Sequence, residues 1–118
     1  QLSRDHTEVQ ELVDKGLLSA KEAKQWPRRN VLVRALGVQD DPEFDINQGM
    51  LESGDVFVIC SDGLTAHVED QEIRDHAEHA PAQAACDALI ALALKRGGTD
   101  NVTVVVMRYQ PPRTEIQA

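Results

Sequence analysis

Hydrophobic residues recur along this chain at two spacings, one helical and one continuous. In "DHTEVQELVDKG" Val9, Leu12 and Val13 repeat at helical intervals, Asp5 or Thr7 stands where a cap is needed, and Gly16 supplies a stop. "SAKEAKQWP" follows with Ser19 and Glu22 in capping-box register and Pro27 as terminator, so the first segment predicts a helical hairpin. "NVLVRALG", residues 30–37, is rich in Val and Leu and closes on a glycine, which predicts a strand. The acidic turn "QDDPE" then leads to a weaker extended stretch from Phe44 to Met50. The clearest β signal is "ESGDVFVICSD": Gly54-Asp55 makes a turn, and Val56 to Ile59 run without a polar break, as in a strand buried on both faces.

Asp70 can cap a helix over "DQEIRDHAEH", and Pro81 opens a second one, "PAQAACDALIALALKRGG". In the latter Ala85, Leu89, Leu92 and Ala93 share one face, Lys95-Arg96 lie near its negative end, and Gly97-Gly98 terminate it. "TDNVTVVVMRY" returns as a Val-rich strand over 102–109, and "QPPRTEIQA", residues 110–118, reads as a tail or linker. The order of helix pair, strands, helix pair and strand predicts an α+β, layered fold with the two strong apolar strands at its centre.

Composition narrows the functional classes. A chain of 118 residues with 42% hydrophobic content suits one globular domain. Twelve basic residues against 20 acidic give a net charge of −8, and no basic stripe is longer than Arg28-Arg29, so the footprint of a nucleic-acid binder is missing. Most of that acidity reads as solvated surface. Cys60 and Cys86 show no CxxC spacing; two free thiols suit a reducing cytoplasm, and a single bridge between them stays open. No apolar run reaches the length of a membrane helix and no signal peptide is present. A start at Gln1 rather than Met is what a piece of a longer protein would show.

Candidate chemistry gathers at two aspartates. Asp62 follows one strong strand and Asp100 precedes the other, so antiparallel pairing would deliver both carboxylates to one end of the sheet. Two carboxylates a few ångströms apart repel unless a cation intervenes, and Mg²⁺ or Mn²⁺ prefers oxygen donors of this kind. Gly63 would let the backbone approach such a site closely, and Asn101 could orient a ligand from behind it. The plainer reading is that Asp-Gly and Asp-Asn are ordinary turn dipeptides.

As text, "GDVFVICSDGLTAHVEDQEI", "ACDALIALALK" and "RGGTDNVTVVVM", preceded by "LSRDHTEVQELVDKGLLSAKEA" and "RNVLVRALG", closely resembles the metal-dependent protein phosphatases of the protein phosphatase 2C type. The resemblance runs from about Leu2 to Arg108, with several motifs in the family's order. It implies that residues 1–109 are the C-terminal half of a catalytic domain, part of an α-β-β-α sandwich of antiparallel sheets flanked by helix pairs. It implies a two-metal Mg²⁺ or Mn²⁺ site in which the aspartates of "SDG" and "DN", here Asp62 and Asp100, are ligands. The reaction implied is hydrolysis of phosphoserine or phosphothreonine in a phosphoprotein by a metal-activated water.

The same resemblance marks what this sequence does not contain. The family's early acidic residue, its "DG.GG" aspartate that bridges both metals and its phosphate-holding arginine have no match, so the chain by itself is expected to be inactive and to depend on an N-terminal half for the remaining ligands. No residue of the chain is assigned direct catalysis. Cys60 reads as a core thiol, Trp26 as a packing residue at a helix end, His6 as a capping or surface-packing residue and His76 and His79 as exposed helix positions, and none of these histidines, nor His67, is assigned catalysis. Two other classes are compatible: a noncatalytic phosphatase-like binding module and a generic acidic interaction domain.

Overall fold

The computed structural model describes residues 1–112 apart from 28–31, 33–36, 38, 39, 42 and 99. The chain divides into two units, Gln1–Gly49 and Met50–Ala118. The first holds the predicted helical hairpin, α1 (Glu8–Asp14) and α2 (Ala20–Lys24). Thr7 rather than Asp5 caps α1, its hydroxyl accepting from the Gln10 N–H at 3.2 Å, and Ser19 caps α2 by accepting from the Glu22 N–H at 3.1 Å. Gly16, at φ +73, takes the left-handed turn that ends α1. Val9 is the buried residue of the hairpin, and the surface pairs Arg4 with Asp14 and His6 with Asp45.

Three expectations for this unit meet different outcomes. The strand predicted over 30–37 lies outside the described residues except for Leu32 and Gly37, and Leu32 makes an isolated antiparallel bridge to Thr7. Residues 44–50 enter no strand, and Phe44 and Ile46 point to solvent; a weakly apolar stretch becomes a strand only where a ladder accepts it. Trp26 stands at the helix end as expected, just past the last turn of α2, which stops at Lys24, and it keeps 36% of its surface exposed.

The second unit contains β1 (Val56–Cys60), α3 (Asp62–Thr65), α4 (Asp70–His79), α5 (Ala82–Lys95) and β2 (Val104–Arg108). β1 pairs antiparallel with β2, in a register running from Val56 opposite Arg108 to Cys60 opposite Val104. The turn at Gly54-Asp55 forms as predicted: Asp55 closes back on Glu52, Gly54 sits at φ +89, and exchange with Tyr109 continues the ladder outward. α5 packs along β2, and a core of Leu64, Val68, Leu89 and Ala93 fills the space beneath, with Cys60, Ile73, Leu92, Val102 and Val104 around it. Leu64 and Leu89 are fully buried, each contributing about 1.5–3 kcal/mol by leaving water.

The continuous apolar run of β1 is not buried on both faces. Val56, Val58 and Cys60 turn toward the helices, as Val104 and Val106 do, whereas Ile59, Val105 and Met107 are exposed. Within this unit one layer of helices covers one face of a two-stranded sheet, and the opposite apolar face is left open. α3 is unforeseen, since four residues are too few to show a helical period. The cap of α4 is Glu69, one residue before Asp70, in a reciprocal capping box with Glu72.

Two arginines lock the helices in place. Arg96, just past α5, grips the Glu72 carboxylate with two bonds of 2.6 and 2.7 Å and donates a third of 2.9 Å to the His67 carbonyl. Arg108, on β2, donates to the carbonyls of Ala77 and Ala80, both at 2.7 Å, and so satisfies the C-terminal end of α4 from the sheet. The guanidinium of Arg96, aided by the Glu69 N–H, holds the Glu72 carboxyl down at about 2.

Gly63 makes the tightest backbone approach of the unit. A methyl group there would overlap the Asn101 carbonyl oxygen and lie 2.9 Å from its carbonyl carbon, so α3 can rest on the approach to β2 only through a glycine.

Two outcomes follow. A carboxyl depressed on folding stabilises fully above its unfolded value of 4.5 and loses that contribution as pH falls toward 2. Urea midpoints of the wild type and Glu72→Gln should therefore differ most near neutral pH and converge between about pH 4.5 and 2. Gly63→Ala should lower stability by at least about 1–3 kcal/mol, read from the same denaturation curves, because the atoms it meets are backbone and cannot rotate away.

Candidate functional site

At the Cys60–Val104 end of the ladder both strands give way to turns, and the two turns are joined. Leaving β1, Ser61 remains extended at φ −80, ψ 165, and Asp62 is the first residue of α3. Approaching β2, the chain passes Asp100, Asn101, Val102 and Thr103. The Ser61 N–H donates to the Thr103 carbonyl at 3.0 Å, the Ser61 hydroxyl accepts from the Thr103 N–H at 3.0 Å, and the same hydroxyl donates to the Asn101 carbonyl at 3.2 Å. Gly63, itself buried, presses on that Asn101 carbonyl from the α3 side.

Asp62 and Asp100 flank this joint. Each adjoins a residue that forms it, Asp62 lying between Ser61 and Gly63 and Asp100 preceding Asn101. Both are exposed, so each carboxylate keeps its hydration. Asp100 is oriented by its neighbour, its Oδ1 accepting from the Asn101 N–H at 2.7 Å. Asn101 thus serves through its backbone, with its N–H directed to Asp100 and its carbonyl to Ser61. Gly63 does allow a close approach, and what it approaches is the other strand's lead-in.

Two carboxylates are hard oxygen donors of the kind Mg²⁺ and Mn²⁺ accept, but octahedral coordination needs more of them or retained waters. Among the described residues no group of three or more His, Cys, Asp and Glu side chains could hold a metal ion. Asp62 and Asp100 have the donor chemistry such a cation takes and are too few to complete its coordination.

The remaining candidates stand apart from this chemistry. Burial, and secondarily the charge of Asp70, pushes the Cys60 thiol up, which keeps it protonated and inert as a core residue. Cys86 is also a free thiol, with its sulfur 3.7 Å from the Val104 carbonyl. His79 stays with its own helix, Nδ1 lying 2.8 Å from the Asp75 carbonyl. A shallow apolar depression of about 330 Å³, lined by Leu51, Phe57, Met107, Arg108 and Tyr109, sits at the opposite end of the ladder from the aspartates and offers them nothing.

Sequence reasoning missed Ser61. A serine between a strand and a helix reads as an N-cap, and the structure does place it at that position of α3, yet its side chain makes no capping bond. Its partners lie 40 and 42 residues downstream, beyond any local signal.

Comparison with known proteins accords with these features. Residues 14–110 match the family model of Stage II sporulation protein E. The protein phosphatase PhpP of Streptococcus pneumoniae is 36% identical over 108 residues, covering 91% of this chain and 44% of its own length. The crystal structure of the Mycobacterium tuberculosis serine/threonine phosphatase PstP/Ppp superposes with a TM-score of 0.81 at 38% identity, over 93% of this chain and 46% of that one. The catalytic domain of PstP in complex with two manganese ions gives 0.72 at 37% identity, over 90% and 43%. The chain spans less than half of each of these proteins, and about a fifth of the whole mycobacterial phosphatase sequence, of which it covers 20%. A family match across most of the chain, with relatives of one kind on both comparisons, places it among the metal-dependent, protein phosphatase 2C-type bacterial serine/threonine phosphatases, of whose catalytic domain it forms a part.

Proposed function

We propose that residues 1–109 are the C-terminal half of a catalytic domain that hydrolyses phosphoserine and phosphothreonine in proteins, with 110–118 as a tail or linker, and that Asp62 and Asp100 are ligands of its Mg²⁺ or Mn²⁺ ions. The observation that carries this reading is the joint itself: two turns remote in sequence are fastened so that one aspartate projects from each at the same end of the sheet. When bound, divalent ions lower the pKa of a coordinated water and offset charge on a phosphoryl group. The part of this chain is then to hold two carboxylates at fixed separation with their repulsion offset by the cation.

The N-terminal half is proposed as the source of the further ligands and of the second sheet of an α-β-β-α sandwich. Support comes from the open apolar face of β1 and β2, where Ile59, Val105 and Met107 are exposed as core-type side chains awaiting a cover. Free Cys60 and Cys86 agree with a cytoplasmic setting. No helix among the described residues is long and apolar enough to cross a membrane. The shortage of donors among the described residues favours, as second reading, a noncatalytic phosphatase-like module that binds a phosphoprotein.

The two readings separate in one experiment. Mn²⁺ is titrated into this chain and into one extended upstream through the whole catalytic domain, while hydrolysis of p-nitrophenyl phosphate is followed with and without chelator. Turnover in the extended protein alone is the expected result, and absence of turnover in both folded proteins would leave the binding module. In the extended protein, Asp62→Asn or Asp100→Asn should cut Mn²⁺-dependent turnover by more than about 100-fold, the upper end of what loss of an outer-shell partner costs. Full activity in either variant would remove that residue from the metal site.

A further inference from the structure

We propose that Ser61 is a positioning residue whose hydroxyl sets the separation of Asp62 and Asp100 for the cation; the inference rests on the metal-site reading above. A hydroxyl has one proton to donate and two lone pairs to accept with. In an N-cap position it would ordinarily accept from its own helix, a contribution of about 1 kcal/mol. Ser61 forgoes that bond. Its proton goes to the Asn101 carbonyl and one lone pair takes the Thr103 N–H, so the side chain brackets Val102 and spans the lead-in to β2.

The bracket lies where it can fix the carboxylates. α3 has four residues and cannot hold its own direction, because a helix this short is not stable without outside contacts. Its first residue, Asp62, is held on one side by Ser61 and on the other by Gly63, and both touch Asn101. The Asn101 N–H in turn orients Asp100. A continuous path therefore runs from Asp62 through the Ser61 hydroxyl and the backbone carbonyl and N–H of Asn101 to Asp100.

The test uses shape-matched variants in the protein extended through its whole catalytic domain. Ser61→Thr keeps the hydroxyl and adds a methyl group, and Ser61→Val has the outline of that threonine with a methyl group in place of the hydroxyl; extended φ and ψ accept either. Mn²⁺ affinity is read from the electron paramagnetic resonance signal of free Mn²⁺, and thermal unfolding is recorded alongside, with binding measured well below every midpoint. Ser61→Thr should bind within about threefold of wild type, and Ser61→Val should bind about 10–100-fold more weakly. Equal affinity in the two variants overturns the proposal, even where Ser61→Val melts earlier, since that outcome describes a purely structural hydroxyl. Should Ser61→Val not fold, Ser61→Ala takes its place under the same criterion. Asp62→Asn in the same titration tells the two failures apart: unchanged Mn²⁺ binding there removes the metal-site reading and this inference with it, whereas weakened binding there with no effect at Ser61 removes this inference alone.

Discussion

Antiparallel pairing of Val56–Cys60 with Val104–Arg108 decides where everything else in the second unit lies. Its register sends Val58, Cys60, Val104 and Val106 toward α5 and the Leu64–Leu89 core, and a slip of one residue would exchange them for Ile59, Val105 and Met107. Such a slip would also part Ser61 from Thr103. Apolar burial and placement of the aspartates are therefore two results of one alignment. The arginines reinforce it from outside the core: Arg108 ties the far end of β2 to the end of α4, and Arg96 ties the end of α5 to the start of α4.

How far the sequence revealed this depended on the range over which each interaction acts. β1, α5 and β2 were legible because long apolar runs announce themselves locally, whereas the antiparallel pairing entered the sequence reading only as a condition and its register comes from the structure. α3 was hidden by its length, and the α4 cap moved from Asp70 to Glu69 because a glutamate can cap when Glu72 answers it from three residues on. Burial on both faces was misjudged for β1 since an apolar run states what a strand can bury, and neighbours decide what it does bury. The site divided along the same line. Asp62 and Asp100 stood out as charged residues at strand ends, whereas Ser61 acts across 40 residues and looked like a local cap.

The joint is made chiefly from groups that sequence comparison of side chains would overlook. Asn101 contributes a peptide N–H and a carbonyl, Thr103 contributes the same pair, and Gly63 contributes the absence of a side chain. Membership of the protein phosphatase 2C-type family is carried by relatives more than twice this chain's length, so the chain is a partial domain. Its own fold nonetheless completes the turns that bear Asp62 and Asp100.

The separation of 42 positions between Ser61 and Thr103 also bears on how the unit assembles. Closing a flexible loop of that length costs about 3 kcal/mol of chain entropy, and α4 and α5 fill most of the interval with structure whose contacts are local. Helices of this kind form on a faster timescale than strands that must find each other across them. The meeting of the two turns therefore depends on a contact that no local segment can make alone, and Asp62 and Asp100 come to one end of the sheet only where β1 and β2 pair.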